Sequence, residues 1–317
     1  MSDLLSGFDL LLADLDGTLY AGRDAVPGAV EAIRGAAERG VRTAYVTNNA
    51  SRTPDDVAAH LAELGFPASP EDVRTSSQAG AALLAEQLPA GAKVLVLGTA
   101  ALRAEVAQRG LTPIDTADGA DAVIHGHSPD TGWRQLAEAT LAVRAGAVWV
   151  ATNIDPTLPT DRGPMPGNGS MVGVVRIATG LTPQVAGKPA PTLLSQAAEG
   201  AERPLVIGDR LDTDIEGGNA AGLPTLLVLT GVSTAREALE AVPEQRPTFV
   251  GADLAVLTQD PGTDGWAVSD GVLSGDGEPV AALRALCAVH WAAGGGPAAV
   301  RAEGEAARRA LDSLGLA

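Results

Sequence analysis

Short apolar runs alternate along this chain with alanine-rich stretches of helical period, and this alternation limits the fold more than any other feature. Runs that are apolar throughout are typical of strands buried on both faces of a parallel sheet. Helices between such strands indicate an α/β protein. The candidate strands lie at residues 8–13, 42–46, 94–97, 122–124, 147–151, 205–207, 224–228 and 248–250. The candidate helices begin near residues 27, 54, 76, 100, 133, 169, 191, 213 and 234.

The composition excludes several classes of function. The chain has 317 residues, 45% of them hydrophobic, which is enough for two domains with real cores. Its 39 acidic and 22 basic side chains give a net charge of −17, which would repel nucleic acid and anionic membranes. No apolar run reaches the ~20 residues that span a bilayer, and Met1-Ser2-Asp3 does not resemble a secretion signal. We therefore expect a cytoplasmic protein that binds neither nucleic acid nor membrane.

A single cysteine, Cys287, is present, which excludes an internal disulfide and a zinc site built from several thiolates. Its apolar neighbours Leu283, Leu286 and Val289 indicate a buried position on a helix.

Two aspartates follow the first candidate strand. Asp14 and Asp16 flank Leu15, so in an extended backbone both carboxylates face the same side. Open α/β sheets bind their ligands outside the carboxyl ends of the strands. Gly17 then lets backbone N–H groups approach an anion closely. The same residues also fit an ordinary Asp-rich turn, so this segment alone does not decide the function.

Three further segments carry polar side chains after apolar runs. Thr47 and Asn48 end the second candidate strand, where they fit either a phosphate contact or an ordinary turn. Lys188, one of two lysines in the chain, lies between Gly and Pro before a helix and fits a phosphate contact or a solvated loop. Asp209 and Asp214 follow a buried strand, and such carboxylates are the hard ligands that Mg²⁺ prefers, although one of them could cap the next helix.

Taken together and in this order, the four segments resemble the haloacid dehalogenase superfamily of phosphotransferases. The motifs are Asp14-Leu15-Asp16-Gly17-Thr18-Leu19-Tyr20, Thr47-Asn48-Asn49, Gly187-Lys188-Pro189 and Gly208-Asp209-Arg210-Leu211-Asp212-Thr213-Asp214. They look like the branch that contains 4-nitrophenylphosphatases, phosphoglycolate phosphatases, glycerol-3-phosphate phosphatases, pyridoxal phosphatases and nucleotidases. The resemblance implies a Rossmann-like, doubly wound parallel-sheet core at 1–75 and 186–258, an inserted α/β cap domain at 76–185, and a C-terminal extension at 259–317.

The resemblance also implies a role for each motif residue. Asp14 would be the nucleophile that forms an aspartyl-phosphate, and Asp16 the general acid and base. Mg²⁺ would be bound by the Asp14 carboxylate, the Asp16 carbonyl and Asp209, with Asp214 acting through water. The phosphate would be held by Gly17, Thr47, Asn48 and Lys188. Asp212 is given no definite role.

The substrate would be chosen by a loop of the cap that contains Asn153, Asp155 and Arg162. These side chains could hydrogen-bond a small polar leaving group, or the Pro/Gly-rich loop could only shape a lid. His125 and His127 have a metal-like spacing but no Cys or carboxylate beside them, which favours a loop or substrate contact over a second metal site.

The sequence thus predicts a Mg²⁺-dependent phosphomonoester hydrolase of a small metabolite, with glycerol-3-phosphate or 2-phosphoglycolate favoured and 4-nitrophenyl phosphate as an artificial substrate. A pyridoxal-phosphate phosphatase, a nucleotide phosphatase and a phosphotransferase remain alternatives. A receiver domain is disfavoured, because receivers are small single domains without an inserted cap. A non-enzymatic sensor is disfavoured because both Asp14 and Asp16 are present.

The extension at 259–317 breaks the alternating pattern. Two segments, 278–293 and 297–314, look helical, and each carries an apolar stripe. The stripes could cover each other, the phosphatase core, or a second subunit in a homodimer. We expect that loss of the extension leaves the motif residues intact but exposes apolar surface.

Overall fold

The computed structural model describes residues 3–158, 160, 162–263 and 265–317. The chain divides into two compact units. The first unit consists of Met1–Tyr45, Leu64–Pro67 and Ala198–Ala317, and the second consists of Val46–Glu63 and Ala68–Ala197. The cap boundaries at 76–185 stay a prediction.

The strands in the described part of the chain are short. In chain order they are β1 (Leu10–Ala13), β2 (Tyr20–Ala21), β3 (Asp24–Ala25), β4 (Arg42–Thr47), β5 (Val73–Thr75), β6 (Lys93–Leu97), β7 (Thr112–Ile114), β8 (Ala122–His125), β9 (Val148–Ala151), β10 (Thr157–Leu158), β11 (Met165–Pro166), β12 (Gln184–Val185), β13 (Pro204–Gly208), β14 (Thr225–Val228), β15 (Phe249–Gly251), β16 (Trp266–Ser269), β17 (Val272–Gly275) and β18 (Arg301–Glu303).

The helices lie mainly between these strands, as the alternating pattern predicts. They are α1 (Ala29–Glu38), α2 (Pro54–Glu63), α3 (Ser76–Gln87), α4 (Ala100–Gln108), α5 (Trp133–Arg144), α6 (Asn168–Thr179), α7 (Thr192–Ala197), α8 (Glu216–Ala220), α9 (Ala235–Leu239), α10 (Pro279–Ala292) and α11 (Glu305–Ser313). A π-helical turn over Leu211–Ile215 precedes α8. None of the helices in the described ranges is long and apolar enough to cross a bilayer.

The first unit is built on parallel strands in the order β15, β14, β13, β1 and β4. All four residues of β1 are buried, as are all five of β13, because helices cover both faces of a sheet of this kind. The chain runs from β1 to β4 on one side, whereas β13, β14 and β15 extend the sheet on the other. The strand order therefore reverses beside β1, and open α/β sheets bind ligands at such a switch point.

The second unit has its own parallel sheet, with the order β12, β9, β8, β6 and β7. Its core lies between the sheet and the helices α5 and α6, and includes Leu97, Val123, Trp149 and Val172. Helix α3 begins with a capping box, in which Gln78 N–H donates to Thr75 Oγ1 over 3.2 Å. The second unit is thus an α/β layer structure like the first.

The C-terminal segment packs within the first unit. Strands β16, β17 and β18 form a small sheet, and α10 and α11 bury their apolar stripes in one cluster with Leu239 and Val250. Arg284 on α10 donates to the Val250 carbonyl over 2.8 Å, and Trp291 donates to the Leu239 carbonyl over 3.0 Å. The stripes therefore cover each other and the edge of the larger sheet.

Cys287 is 2% exposed in this cluster, and burial raises its pKa to about 12.

One sequence prediction in this segment is wrong. Residues 297–314 do not form a single helix, because Arg301–Glu303 pair as β18 with β17 in parallel register. Gly304, with φ of 92°, separates this strand from α11. The predicted helix at 278–293 is confirmed as α10.

Candidate active site

Three carboxylates meet at the carboxyl ends of β1 and β13. Asp14 follows β1 and donates its backbone N–H to the Ile207 carbonyl over 2.9 Å, which continues the pairing of the two strands. Asp209 follows β13, and Asp214 lies in the π-helical turn behind it. One ligand atom of each carboxylate lies within 4.8 Å of the other two. Asp14 is half-buried, and Asp209 and Asp214 are 0% and 1% exposed.

Asp209 is held by donors on both of its oxygens. Thr18 Oγ1 donates to Oδ1 over 3.3 Å, and the Val232 backbone N–H donates to Oδ2 over 2.6 Å. Gly17 and Gly231 leave room for the carboxyl group, since a Cβ atom on either glycine would overlap it. The sequence alone gave no reason to assign Gly231 and Val232 to this site, because they lie in a plain loop after β14.

Asp214 is placed by the local backbone. Its Oδ2 accepts from the Arg210 N–H over 3.1 Å, and its own N–H donates to the Arg210 carbonyl over 3.1 Å. A Cβ atom on Gly208 would overlap the Asp214 side chain, so glycine at the end of β13 lets that carboxylate lie over the strand.

This donor set fits a divalent cation. One cation can contact all three carboxylates, since their ligand atoms lie within 4.8 Å of one another, and its charge would offset the repulsion between them. Hard oxygen ligands of this kind suit Mg²⁺ or Ca²⁺. The glycines that make room for Asp209 and Asp214 keep both carboxylates at the strand ends. Asp14, Asp209 and Asp214 would therefore hold the cation.

Asp16 and Asp212 lie outside this cluster. Asp16 is exposed, and Leu15 between the two aspartates is 2% exposed, so the side chains alternate as the extended pattern predicts. Gly17 has φ of 85° and donates its N–H to the Tyr20 carbonyl over 2.8 Å. Asp212 pairs with Arg210, whose guanidinium donates to both carboxylate oxygens over 3.0 and 2.8 Å. Asp212 is therefore an exposed ion-pair residue.

The remaining motif residues belong to the second unit. Thr47, the last residue of β4, is 5% exposed, and its hydroxyl accepts from the Asn49 N–H over 3.0 Å. Lys188 is 2% exposed. The Asn48 amide is turned towards the backbone of Lys188: Oδ1 accepts from the Lys188 N–H over 2.8 Å, and Nδ2 donates to the Lys188 carbonyl over 2.9 Å.

The predicted substrate loop begins directly after β9. Asn153 is 5% exposed; its Nδ2 donates to the Asn48 carbonyl over 2.8 Å, and its Oδ1 accepts from the Asp155 N–H over 3.3 Å. Asp155 is half-buried and accepts from Asn48 Nδ2 over 3.3 Å. Arg162 is exposed, and its backbone N–H donates to Thr160 Oγ1 over 3.3 Å. The Asn153 side chain thus holds the loop together, while Arg162 is open to solvent.

His125 ends β8 and is completely buried. Burial lowers its pKa to about 4, so the imidazole is neutral at pH 7. Neither ring nitrogen has a hydrogen-bond partner among the described residues. His127 is half-buried. Within the described ranges, the cluster with metal-ligand spacing is the one formed by Asp14, Asp209 and Asp214.

Fold and site together define a class, that of Rossmann-like α/β enzymes with an acidic, cation-binding centre at the switch point of the sheet. Sequence comparison makes this more specific. Residues 11–112 match the profile of the haloacid dehalogenase-like hydrolases, and residues 185–257 match a second profile of such hydrolases. D-glycerol 3-phosphate phosphatase of Mycobacterium tuberculosis is 57% identical over 263 residues, which are 82% of this chain and 74% of the relative.

Other proteins similar to this chain are also named as phosphatases. Acid sugar phosphatase of Staphylococcus aureus is 41% identical over 77% of this chain and 94% of its own length. The crystal structure of a glycerol phosphate phosphatase from M. tuberculosis in complex with magnesium covers 100% of both chains, with a TM-score of 0.94 and 50% identity. The p-nitrophenyl phosphatase from Archaeoglobus fulgidus has a TM-score of 0.73 and 29% identity over 80% of this chain and 98% of its own. The chain therefore belongs to the haloacid dehalogenase-like hydrolases and is a phosphatase.

The C-terminal segment has its own match. Residues 264–316 match the profile of a GCN5-related N-acetyltransferase like domain. This range begins just before β16 and contains α10 and α11.

Proposed function

We propose that this phosphatase hydrolyses a small phosphomonoester in a Mg²⁺-dependent reaction, with glycerol-3-phosphate favoured and 2-phosphoglycolate next. The observation that carries the proposal is the cluster of Asp14, Asp209 and Asp214 at the switch point of the sheet. The 57% identity to a D-glycerol 3-phosphate phosphatase, and the likeness to a glycerol phosphate phosphatase crystallised with magnesium, support the choice of substrate and metal.

In this proposal Asp14 is the nucleophile. Its carboxylate oxygen attacks phosphorus, an O–P bond forms, and the bond from phosphorus to the substrate oxygen breaks. Asp16 donates a proton to the leaving oxygen, so that the product leaves as an alcohol. Asp16 then takes a proton from water, whose oxygen attacks phosphorus and releases inorganic phosphate and the Asp14 carboxylate. The exposure of Asp16 supports this role, since an acid that exchanges protons with solvent must reach it.

Charge repulsion is the main obstacle to this reaction, because a carboxylate attacks a dianion. Bound Mg²⁺ supplies positive charge that offsets this repulsion. Asp14, Asp209 and Asp214 would hold it, with the Asp16 carbonyl as a further ligand and Asp214 acting through water. Lys188 adds a second positive charge on the phosphate, and Thr47 and Asn48 complete the phosphate site. The deep burial of Lys188 supports this assignment, because water and salt screen a buried charge less than an exposed one. Gly17 lies beside this site by sequence prediction, but its N–H already donates to the Tyr20 carbonyl over 2.8 Å.

The cap loop would select the leaving group. Asp155 and Arg162 are the candidates for contact with substrate hydroxyls, and Asn153 would act by fixing the loop through its bond to the Asn48 carbonyl. The charged side chains of Asp155 and Arg162 suit the hydroxyl groups of a short polyol, which favours such a leaving group. A homodimer and a cytoplasmic location stay predictions, which solution mass and cell fractionation test.

The experiment is release of inorganic phosphate from a panel of phosphate esters with and without Mg²⁺. The panel contains glycerol-3-phosphate, 2-phosphoglycolate, sugar phosphates, pyridoxal phosphate, nucleotides and 4-nitrophenyl phosphate. We expect the highest kcat/KM for glycerol-3-phosphate, loss of turnover in EDTA, recovery with Mg²⁺ and poor recovery with Ca²⁺, whose looser coordination misplaces the nucleophile. Full activity in chelator would contradict the metal assignment, and a higher kcat/KM for pyridoxal phosphate or a nucleotide would contradict the substrate.

A further inference from the structure

Both amide protons of Asn48 are used in hydrogen bonds within the second unit, and its amide oxygen accepts a further bond there. Its Oδ1 accepts from the Lys188 N–H over 2.8 Å, and its Nδ2 donates to the Lys188 carbonyl over 2.9 Å and to Asp155 Oδ2 over 3.3 Å. An amide nitrogen has two protons to donate, so Nδ2 has none left for a phosphate oxygen. The amide thus clamps one residue at both its N–H and its carbonyl.

The backbone of Asn48 joins the same residues to the substrate loop. Its carbonyl accepts from Asn153 Nδ2 over 2.8 Å and from Ser76 Oγ over 2.7 Å. Asn48 therefore touches Lys188 through its side chain and the 153–155 segment through both side chain and backbone. A group bonded to two loops at once fixes the distance between them.

The sheet of the second unit brings these loops together. Strands β9 and β12 pair in parallel, and the ladder continues past them, since Gly187 N–H donates to the Thr152 carbonyl over 2.8 Å. Lys188 and Asn153 are thus the next residues along two neighbouring strands. Gly187 leaves the space that the clamp needs, because a Cβ atom there would lie 2.6 Å from Asn48 Oδ1.

Asn168 anchors the other end of this arrangement. It is the first residue of α6 and is 2% exposed. Its Nδ2 donates to the Asn153 carbonyl over 2.7 Å and to the His125 carbonyl over 3.0 Å, which ties the ends of β8 and β9 together. The substrate loop is thereby held from the sheet side by Asn168 and from the lysine side by Asn48.

We infer that Asn48 is a positioning residue: it holds Lys188 in a fixed place relative to the 153–155 substrate loop and does not contact the phosphate with its own side chain. This inference rests on the proposed role of Lys188 in phosphate binding, and it revises the phosphate-binding role proposed for the Asn48 side chain. The distance between the backbone of Lys188 and the leaving-group contacts is then set within the second unit.

A double-mutant cycle between Asn48 and Lys188 tests this inference. Loss of one charge that stabilises the transition state costs about 10² to 10³ in kcat, which is expected for Lys188→Ala. A displacement of about 1 Å costs about 10²-fold, which is expected for Asn48→Ala with KM changed less than kcat. Because Asn48 acts through Lys188, adding Asn48→Ala to Lys188→Ala should lower kcat no further.

The matched control is Asn219→Ala in the first unit. Asn219 Nδ2 also donates to two backbone carbonyls, those of Glu244 and Arg246, over 2.8 and 3.0 Å. Its loss should lower the thermal midpoint about as much as Asn48→Ala and leave kcat within twofold of the parent. If Asn48→Ala does not fold, Asn48→Asp takes its place in the cycle, because a carboxylate still accepts from the Lys188 N–H but cannot donate to its carbonyl.

The possible outcomes distinguish a failure of the inference about Asn48 from a failure of the proposed role of Lys188. If Lys188→Ala is impaired and the two substitutions multiply in kcat, Asn48 acts independently of Lys188 and the inference is overturned, while the role of Lys188 stands. An unimpaired Asn48→Ala variant overturns it in the same way. If Lys188→Ala keeps full activity, the proposed role of Lys188 fails and the inference falls with it.

Discussion

Replacing Gly17 with alanine tests whether the close approach of this loop to Asp209 is needed for activity. Gly17 has φ of 85°, and a Cβ atom built on it would lie 2.7 Å from Asp209 Cγ and 2.5 Å from Oδ2. Gly22, in the same segment of the chain, has φ of 65° but no atom within 4 Å of a built Cβ. Gly22→Ala is therefore the matched control, because it shares the backbone strain and lacks the overlap.

The effect of the backbone strain and the effect of the overlap with Asp209 can be estimated separately. A left-handed backbone at a non-glycine residue costs about 1–2 kcal/mol, and both variants should lose at least that much stability. Carbon atoms in contact lie about 3.5–4.0 Å apart, so a gap of 2.7 Å forces a shift of about 1 Å between Gly17 and Asp209. A misplacement of 1 Å at a reacting centre costs about 10²-fold in rate. Asp209 is one of the three cation-holding carboxylates, so the rate loss should appear in Gly17→Ala alone.

The assay compares kcat, the Mg²⁺ concentration for half-maximal activity, and the thermal midpoint of both variants with those of the parent. We expect a lower thermal midpoint in both variants and the lower of the two in Gly17→Ala, because the overlap with buried Asp209 adds to the backbone strain. Only Gly17→Ala should show a kcat about 10²-fold lower and weaker Mg²⁺ activation. Equal kcat values in the two variants would refute the argument, since the overlap with Asp209 would then have no effect on the chemistry.

Three other predictions concern Asp16, His125 and the C-terminal segment. Asp16→Ala should lose much less activity on 4-nitrophenyl phosphate than on alkyl phosphates, because a good leaving group needs little protonation; equal losses would remove Asp16 from the acid role. His125 binds a proton below pH 6.5 in the unfolded chain but only below about 4 in the folded one, so stability should fall by up to about 3 kcal/mol as pH drops between these values. His125→Leu should abolish this dependence in chemical denaturation at pH 4.5 and 7, and an unchanged slope would show that another group causes it. A chain of residues 1–258 should keep the parent's kcat but show a lower thermal midpoint or a changed solution mass, because Leu239 and Val250 lose their cover; a folded truncate of parental stability and mass without turnover would place part of the site in the C-terminal segment.

Strands that are apolar throughout could be predicted from the sequence because their pattern is local. Each of the eight candidate strands is present, with ends shifted by one or two residues. Strands β5, β7 and β12 were missed because they have two or three residues and no apolar run. The apolar spacing that follows residues 301–303 predicts a helix there. Their strand conformation depends on pairing with β17, a tertiary contact that a local pattern does not contain.

The candidate site also has features that the local sequence predicts and others that depend on tertiary contacts. The Asp14 and Asp209 segments could be predicted to meet, because the carboxyl ends of neighbouring parallel strands lie together. The partners of the Asn48 amide could not, since Lys188 is 140 residues away and nothing in a Thr-Asn-Asn turn distinguishes a phosphate donor from a backbone clamp. Gly231 was missed for a similar reason: its only signal is the space that it leaves for Asp209.

The central claim, that Asp14 carries the phosphoryl group during turnover, is tested most directly by trapping the intermediate. The Asp16→Ala variant is mixed with 4-nitrophenyl phosphate and Mg²⁺, quenched rapidly in acid, digested and analysed by peptide mass spectrometry. Loss of the general base slows hydrolysis of the intermediate, so the peptide that contains Asp14 should gain the mass of one phosphoryl group, and Asp14→Asn should abolish both this gain and turnover, by about 10³-fold or more. A phosphoryl group found on another residue, or an Asp14→Asn variant that is folded and retains a tenth of the parent's rate, would contradict the account.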